Sequence, residues 1–472
     1  MKYMACLVML LTAFTACSPD SDASDPGSTT NKTYTLHFNL SPVSGSSAFS
    51  RAETYTAGSP NTWEDGSKEE NMKSWTVVFV KPDGTVAKVV KQPSVEEGKD
   101  KKDVVTVTGL EAGTKYTVYS FANISDADLG TITEGSSPNF DTKSFAVNGN
   151  DMDITKNGIP MSNKQTVTIG PDGQPDVKQL YVVRMLSKIT LKFRNMTGGD
   201  ITVNTVSISD ITSNPATGTN IMLLPANNVV SSANVAQTPN LAENAASGEF
   251  THTISSGLTV ANNTTDYDNS RSVSFYVNES QAGKAYPYFV VTLETNVGSQ
   301  RYFMYTDWNQ IARNDHHVLK LALSDYKLRL KVEDFSAIGM YPSVKDDGKQ
   351  LDLTFHYPGE EFHIIPSVTK YSTGAEVSFT DLKWTKLSEP ETDAETKAFT
   401  TIPKIVTGEN RIEAETKGEL RKKIGPIVYQ LSVKVPDGSA DSPTLVYRVA
   451  ISQDLTWYSA RRHNGAFWIC KQ

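Results

Sequence analysis

The sequence predicts an all-β protein of tandem β-sandwiches, transthyretin-like or Ig-like, with an extra β-domain at the C-terminus. Three observations carry this reading: short runs of alternating apolar and polar residues recur along the chain, turn clusters rich in Gly, Asn, Asp and Pro separate them, and helical periodicity is scarce. With about 150 residues per domain as a guide, 472 residues should form roughly three domains. Apolar residues make up 38% and charged residues 21%, near globular averages, which argues against a wholly disordered or membrane-embedded chain. The net charge of −8 supplies no long basic stripe and argues against nucleic acid as a partner. Cys6, Cys17 and Cys470 are the three cysteines, so no disulfide framework or cysteine-rich zinc site can staple the body of the chain.

Residues 1–17 carry one charge, Lys2, then an apolar run through Phe14 that ends in small residues. This is a signal peptide's apolar region, too short to span a bilayer. The ending Phe14-Thr15-Ala16-Cys17 resembles a lipoprotein box, with Phe14 departing from the usual Leu, and would make Cys17 the lipidated first residue of the exported chain. A polar tether follows, and residues 18–51 also include the first strand. In that strand, residues 33–40, Tyr34, Leu36, Phe38 and Leu40 share one face, with Thr35, His37 and Asn39 on the other. A Ser/Gly-rich stretch then runs to Arg51-Ala52.

In the next domain, residues 52–180, two strands flank the turn Pro82-Asp83-Gly84 as a hairpin. A charged loop over residues 96–103 leads into strands at 104–107 and 116–124. A single alternating segment at 180–195 opens the second β-sandwich, residues 181–325, with Ile189, Leu191 and Phe193 on one face. Strands are expected at 203–208, 272–277, 288–292 and 318–323, and one short helical turn at 307–313. Residues 326–472 read as an Ig-like domain with strands at 351–357, 427–435 and 445–451, closed by an aromatic-rich terminal segment.

The patterns that catalysis needs, GxSxG, HExxH, the P-loop and GxGxxG, do not occur, so no enzyme, catalytic residue or cofactor is expected. Asp315-His316-His317 is the one local cluster resembling a metal site, yet adjacent His residues on a strand face opposite ways and a plain strand start is favoured. The acidic stretch 148–153 and the pair Asp266 and Asp268 offer oxygen ligands for calcium, but read better as Asx-rich turns. Trp384, Trp457 and Trp468 could stack on sugars, with core filling the favoured reading of each.

Taken in order, the lipobox at Cys17, the 33–40 strand, Arg51-Ala52, the hairpin, the Tyr116–Ile124 run, Ile159-Pro160-Met161-Ser162 and the segment 184–191 resemble the fimbrillin family of type V pilins, lipoprotein-derived subunits of Bacteroidia-type surface fimbriae. The resemblance covers roughly residues 1–325. It implies a structural, non-enzymatic subunit that reaches the outer membrane as a lipoprotein, palmitate-bearing at Cys17, and is then cut between Arg51 and Ala52 by an Arg-specific trypsin-like protease. The first strand would leave with its lipid, and a C-terminal strand of another subunit would fill the groove. Candidate donors are Leu445, Tyr447, Val449 and Ile451, or the segment bearing Trp457, Phe467 and Trp468. Arg461, Arg462 and Cys470 depart from a plain alternating donor, which leaves a stalk and a tip or accessory position both open. The expected location is the outer membrane and the cell-surface fimbrium, where host or bacterial glycans or proteins are adhesive partners to test. The rival reading is a permanently lipid-anchored outer-membrane glycan-binding protein that keeps Cys17 and its lipid.

Overall fold

The computed structural model describes residues 33–43, 68–96, 101–145, 157–212, 221–231, 238–243, 245–262, 264, 266–283, 288–297, 301–304, 308–335, 341–348, 350–417, 421–436, 442–456, 458–463 and 466–471. Seven strands form the first sheet, in the order Val86–Gln92, Trp75–Val80, Lys115–Ala122, Met161–Thr168, Gln179–Arg184, Thr33–Pro42, Asp103–Glu111. The sheet folds over one core that includes Phe38, Leu40, Val77, Phe79, Val105, Tyr116 and Leu180. Trp75–Val80 is buried at every position because both its faces are covered. Val77 and Phe79 point into that core, while Val78 and Val80 pack with Tyr119, Phe121, Leu223 and Tyr276 in a second cluster that bridges to the next sandwich. A strand covered on both faces reads as a continuous apolar run.

The segment foreseen as one strand over 180–195 is two. Gln179–Arg184 completes the first sheet, Met185 is buried between them, and Leu186–Met196 opens the second sandwich. There, Leu186–Met196 lies between Ser272–Asn278, antiparallel, and His316–Ser324, parallel. This three-stranded sheet packs on a four-stranded one ordered Ser247–Val260, Ile201–Thr212, Val290–Thr295, Arg301–Met304. Ile189, Leu191, Phe193, Val206, Phe289, Trp308 and Leu319 fill the space between. The helical turn expected at 307–313 is instead, in its described part, a two-residue strand, Gln310–Ile311, paired with Ser280–Gln281. Pairing with a distant segment overrides a weak local preference.

The third sandwich has two five-stranded sheets. One contains Tyr326–Asp334, Glu361–Lys370, Ile412–Thr416 and Phe399–Ile405, with Glu376–Val377 alongside; the other runs Ser343–Asp346, Gln350–Phe355, Thr444–Asp454, Lys423–Lys434, Thr380–Ser388. Leu351, Phe355, Phe362, Ile412, Tyr429, Val449 and Ile451 form its core. Beyond it, Tyr458–His463 and Ala466–Lys471 make a separate two-stranded hairpin.

One buried acid in this sandwich has a measurable consequence. Glu360 is 4% exposed, and neither carboxylate oxygen has a hydrogen-bond partner among the described residues. Burial, then the nearby Asp334 charge, pushes its pKa up from 4.5 to about 8. The folded chain therefore holds a proton that the unfolded chain releases near pH 4.5, and stability contributed by this group falls as pH rises from 4.5 to about 8. Glu360→Gln should flatten the denaturant-midpoint profile in that window and raise stability at pH 8 by on the order of a few kcal/mol. An unchanged profile would remove Glu360 as its source.

Candidate strand-exchange groove

Alternation decides where the first strand lies. Leu36, Phe38 and Leu40 are buried, Tyr34 packs against the same core, and His37 faces out with Nδ1 3.0 Å from Thr106 Oγ1. The strand is interior, antiparallel to Asp103–Glu111 on one side and parallel to Gln179–Arg184 on the other. Its register sets Leu36 opposite Val107 and Phe38 opposite Val105 on the first neighbour, and Leu40 opposite Leu180 on the second. Phe38 lies 5.5 Å from the Phe79 ring centroid, and Phe79 stands edge-on to Tyr116 at 6.4 Å. Gly173, at φ +78°, lets the Tyr34 ring close over its turn; a Cβ there would sit 2.4 Å from the ring.

Both edges are bonded. Asn39 N–H donates to Lys178 O and Val43 N–H to Val182 O, each at 2.9 Å, and the Gln179 side chain reaches Ser41 Oγ at 3.0 Å. Asp103–Glu111 pairs with no other strand among the described residues, so removing the first strand would leave it without a ladder partner, held by its turns, by Val105, Val107 and Leu110 in the core and by side-chain bonds such as Trp75 Nε1–H to Asp103 Oδ2 at 2.8 Å. Four side chains at about 1.5–3 kcal/mol each give roughly 6–12 kcal/mol of gross burial, before ladder bonds are counted.

The far end of the strand is clamped where the first two sandwiches meet. Arg184 donates Nη1 to Val43 O at 3.0 Å and to Asn314 Oδ1 at 3.2 Å, and Nε to Glu70 O at 3.1 Å. Burial lowers its pKa to about 10 against the opposing pull of Glu70 and Tyr276, so it stays charged at neutral pH. Glu70 also pairs with Lys188 at 2.7 Å and accepts from the Tyr276 hydroxyl at 2.6 Å. Nearby, the fully buried pair Arg313 and Glu279 is tied to the carbonyls of Met222 and Leu223. These were not foreseen: the partners are 34 residues apart in one case and 114–141 in the other, with no local pattern.

Cys17, Arg51 and Ala52 lie outside the described residues. Arg51 is eight residues beyond Val43, which allows at most ~28 Å of extended chain. The two donor candidates differ sharply. Leu445, Tyr447, Val449 and Ile451 sit on Thr444–Asp454, bonded on one side to Gln350–Phe355 and on the other to Lys423–Lys434, with Tyr447, Val449 and Ile451 buried. A strand paired on both edges inside its own domain is not free to be donated. Trp457 is outside the described residues, while Phe467 and Trp468 lie on the terminal hairpin opposite Arg462 and Arg461. Neither hairpin strand joins another sheet among the described residues. An isolated hairpin is marginal in water, so this segment has edges to offer.

Of the remaining candidates, His316, Asp266, Asp268 and Trp384 make structural contacts. His316 Nε2 bonds Thr190 Oγ1 at 2.9 Å, and burial holds His316 and His317 neutral, with pKa values of about 4 and about 3. Asp266 and Asp268 pair with Arg271 at 2.8 and 3.3 Å. Residues 148–153 lie outside the described residues. Trp384 packs on the third core, stacked on Tyr429 at 4.8 Å. Trp468 has no described side-chain surroundings.

The described residues thus form consecutive β-sandwiches whose first strand is interior to the first sheet. Residues 48–210 match the family model of the major fimbrial subunit protein, FimA. The match covers 163 of the 472 residues, and over that stretch the chain is similar to fimbrial subunits. No curated protein matches the sequence. Among solved structures, the chain is similar to the C-terminally truncated tip fimbrial protein Mfa3 from Porphyromonas gingivalis, at 14% identity, covering 60% of this chain and 94% of that one with a TM-score of 0.35. It is also similar to a fimbrial assembly protein from Parabacteroides distasonis, at 10% identity over 73% and 99%, with a TM-score of 0.36.

Proposed function

We propose that the chain is exported as a lipoprotein on Cys17, is cut between Arg51 and Ala52 by an Arg-specific protease, and joins other subunits by strand exchange. The observation that carries this reading is the interior, doubly bonded position of Thr33–Pro42, a strand that stands between the leader and Arg51. Its loss would open a slot lined by Phe79, Val105, Tyr116 and Leu180, with unpaired ladder groups on both sides. A strand from another subunit would restore both ladders and the core. The terminal segment 457–471 is the candidate donor, since Thr444–Asp454 is committed to its own sheet. Donor and groove lie on different domains, so the contact is heterologous and need not close.

The test is the N-terminal sequence and intact mass of the protein recovered from the cell surface. A lipid-free start at Ala52 is the expected result. A start at lipidated Cys17 would overturn it and favour the permanently anchored glycan-binding lipoprotein.

A further inference from the structure

The second and third sandwiches meet around a cleft of about 820 Å³. One wall is built by residues 194, 267, 301–304, 320, 322 and 324, the other by 326–328, 347–348, 371, 434 and 442–447. Charge is segregated here. The whole chain carries −8, yet among the described residues Arg194, Arg301, Lys320, Lys327 and Lys434 line the cleft with a single carboxylate, Asp347. That carboxylate already accepts from Gln350 N–H at 2.8 Å.

Aromatic faces interleave with the cations. Tyr267 is flanked by Arg194 and Lys320, 5.3 and 5.5 Å from its ring centroid, and Tyr371 by Arg301 and Lys327 at 4.6 and 6.0 Å. Arg301 is 6% exposed and donates Nη1 to Ser324 O at 2.5 Å, while its Nε has no hydrogen-bond partner among the described residues. The carboxylate of Asp325, which acts on Arg301 through its charge, is bonded to Ser372 N–H and Oγ. A buried guanidinium with an idle donor and no paired carboxylate is costly unless an anion completes it.

We infer that this cleft binds an acidic oligosaccharide. Its carboxylates meet Arg301 and the lysines, and its ring faces lie against Tyr267 and Tyr371, so the ligand spans two sandwiches. The volume falls within the roughly 300–1,000 Å³ of small-ligand sites, which suits a short saccharide and is too small for a folded partner. This site is independent of strand exchange, since none of its residues belongs to the first sandwich.

The test is titration calorimetry of the full chain with tri-galacturonate and sialyllactose, against maltotriose and lactose. The acidic sugars should bind at least tenfold tighter than the neutral ones, and their affinity should fall as salt rises. Arg301→Ala should abolish binding. Because a buried arginine can be needed for folding, the doubly substituted Lys320→Glu/Lys327→Glu chain is the second variant, expected to lose at least tenfold in affinity with an unchanged melting temperature. Equal binding of acidic and neutral sugars, no binding of either, or undiminished binding by the double variant would overturn the inference. A hexaglutamate peptide binding as tightly as tri-galacturonate would also overturn it and assign the cleft to an acidic peptide.

Discussion

Phe38→Ala should lower the unfolding free energy of the uncleaved first sandwich by about 3–5 kcal/mol, measured by urea denaturation. The ring is fully buried against Phe79, and its strand is bonded on both edges, so neighbouring backbone cannot move in to fill the space. The same substitution carries a second prediction for the groove. A chain beginning at Ala52 should bind a synthetic peptide of residues 33–43, and the peptide with Phe38→Ala should bind about 10²–10³-fold more weakly. A peptide that binds equally well with alanine would mean that the slot closes once the strand has gone, and strand exchange would lose its physical basis.

The second large effect is expected at the junction of the first two sandwiches. Arg313 and Glu279 are both inaccessible to solvent; Glu279 Oε2 also accepts from Asn240 N–H at 3.0 Å, and Arg313 donates to Met222 O at 2.7 Å. Arg313→Met strands a buried carboxylate and should cost about 3–5 kcal/mol, as should Glu279→Leu, which strands the guanidinium. The double variant should recover a large part of that loss, because a buried pair replaced by apolar residues also sheds its desolvation penalty. Recovery will be incomplete, since Met222 O and Leu223 O each lose the Arg313 donor, Leu223 O keeping Ser162 Oγ, and Asn240 N–H loses its Glu279 acceptor. A double-mutant cycle measures the coupling, and strictly additive losses would show that the two residues act separately.

How far the sequence could be read depended on where each strand finds its partners. Tyr34, Leu36, Phe38 and Leu40 announced their strand because one face is buried and the other is wet, so periodicity alone was enough. Met161–Thr168 was not foreseen, since it buries Ser162, Asn163 and Gln165, polar residues that make loops elsewhere. Their main partners are distant in the chain: Ser162 Oγ donates to Leu223 O, and Asn163 Nδ2 to Val229 O at 2.8 Å. Ser247–Val260 also escaped notice, because its Gly, Ser and Thr residues cover one exposed face of a sheet edge. Leu445 to Ile451 was legible as a strand but not as an interior one, since its parallel neighbour, Gln350–Phe355, lies almost a hundred residues earlier. The cleft between the second and third sandwiches left no sequence signal, as its cations are spread from Arg194 to Lys434.

The tie between Val43 and Lys68 has a consequence in mass action. While residues 44–67 join the first strand to its own sheet, an opened strand returns at an effective concentration on the order of millimolar. A cut after Arg51 would turn that return into an encounter between separate molecules. If the freed segment is diluted to nanomolar, the millionfold drop is equivalent to about 8 kcal/mol. One broken peptide bond would then weigh as much against occupancy as the burial of Tyr34, Leu36, Phe38 and Leu40 weighs for it. The groove could stay filled throughout synthesis and export, and become open to exchange only where the protease and dilution act together.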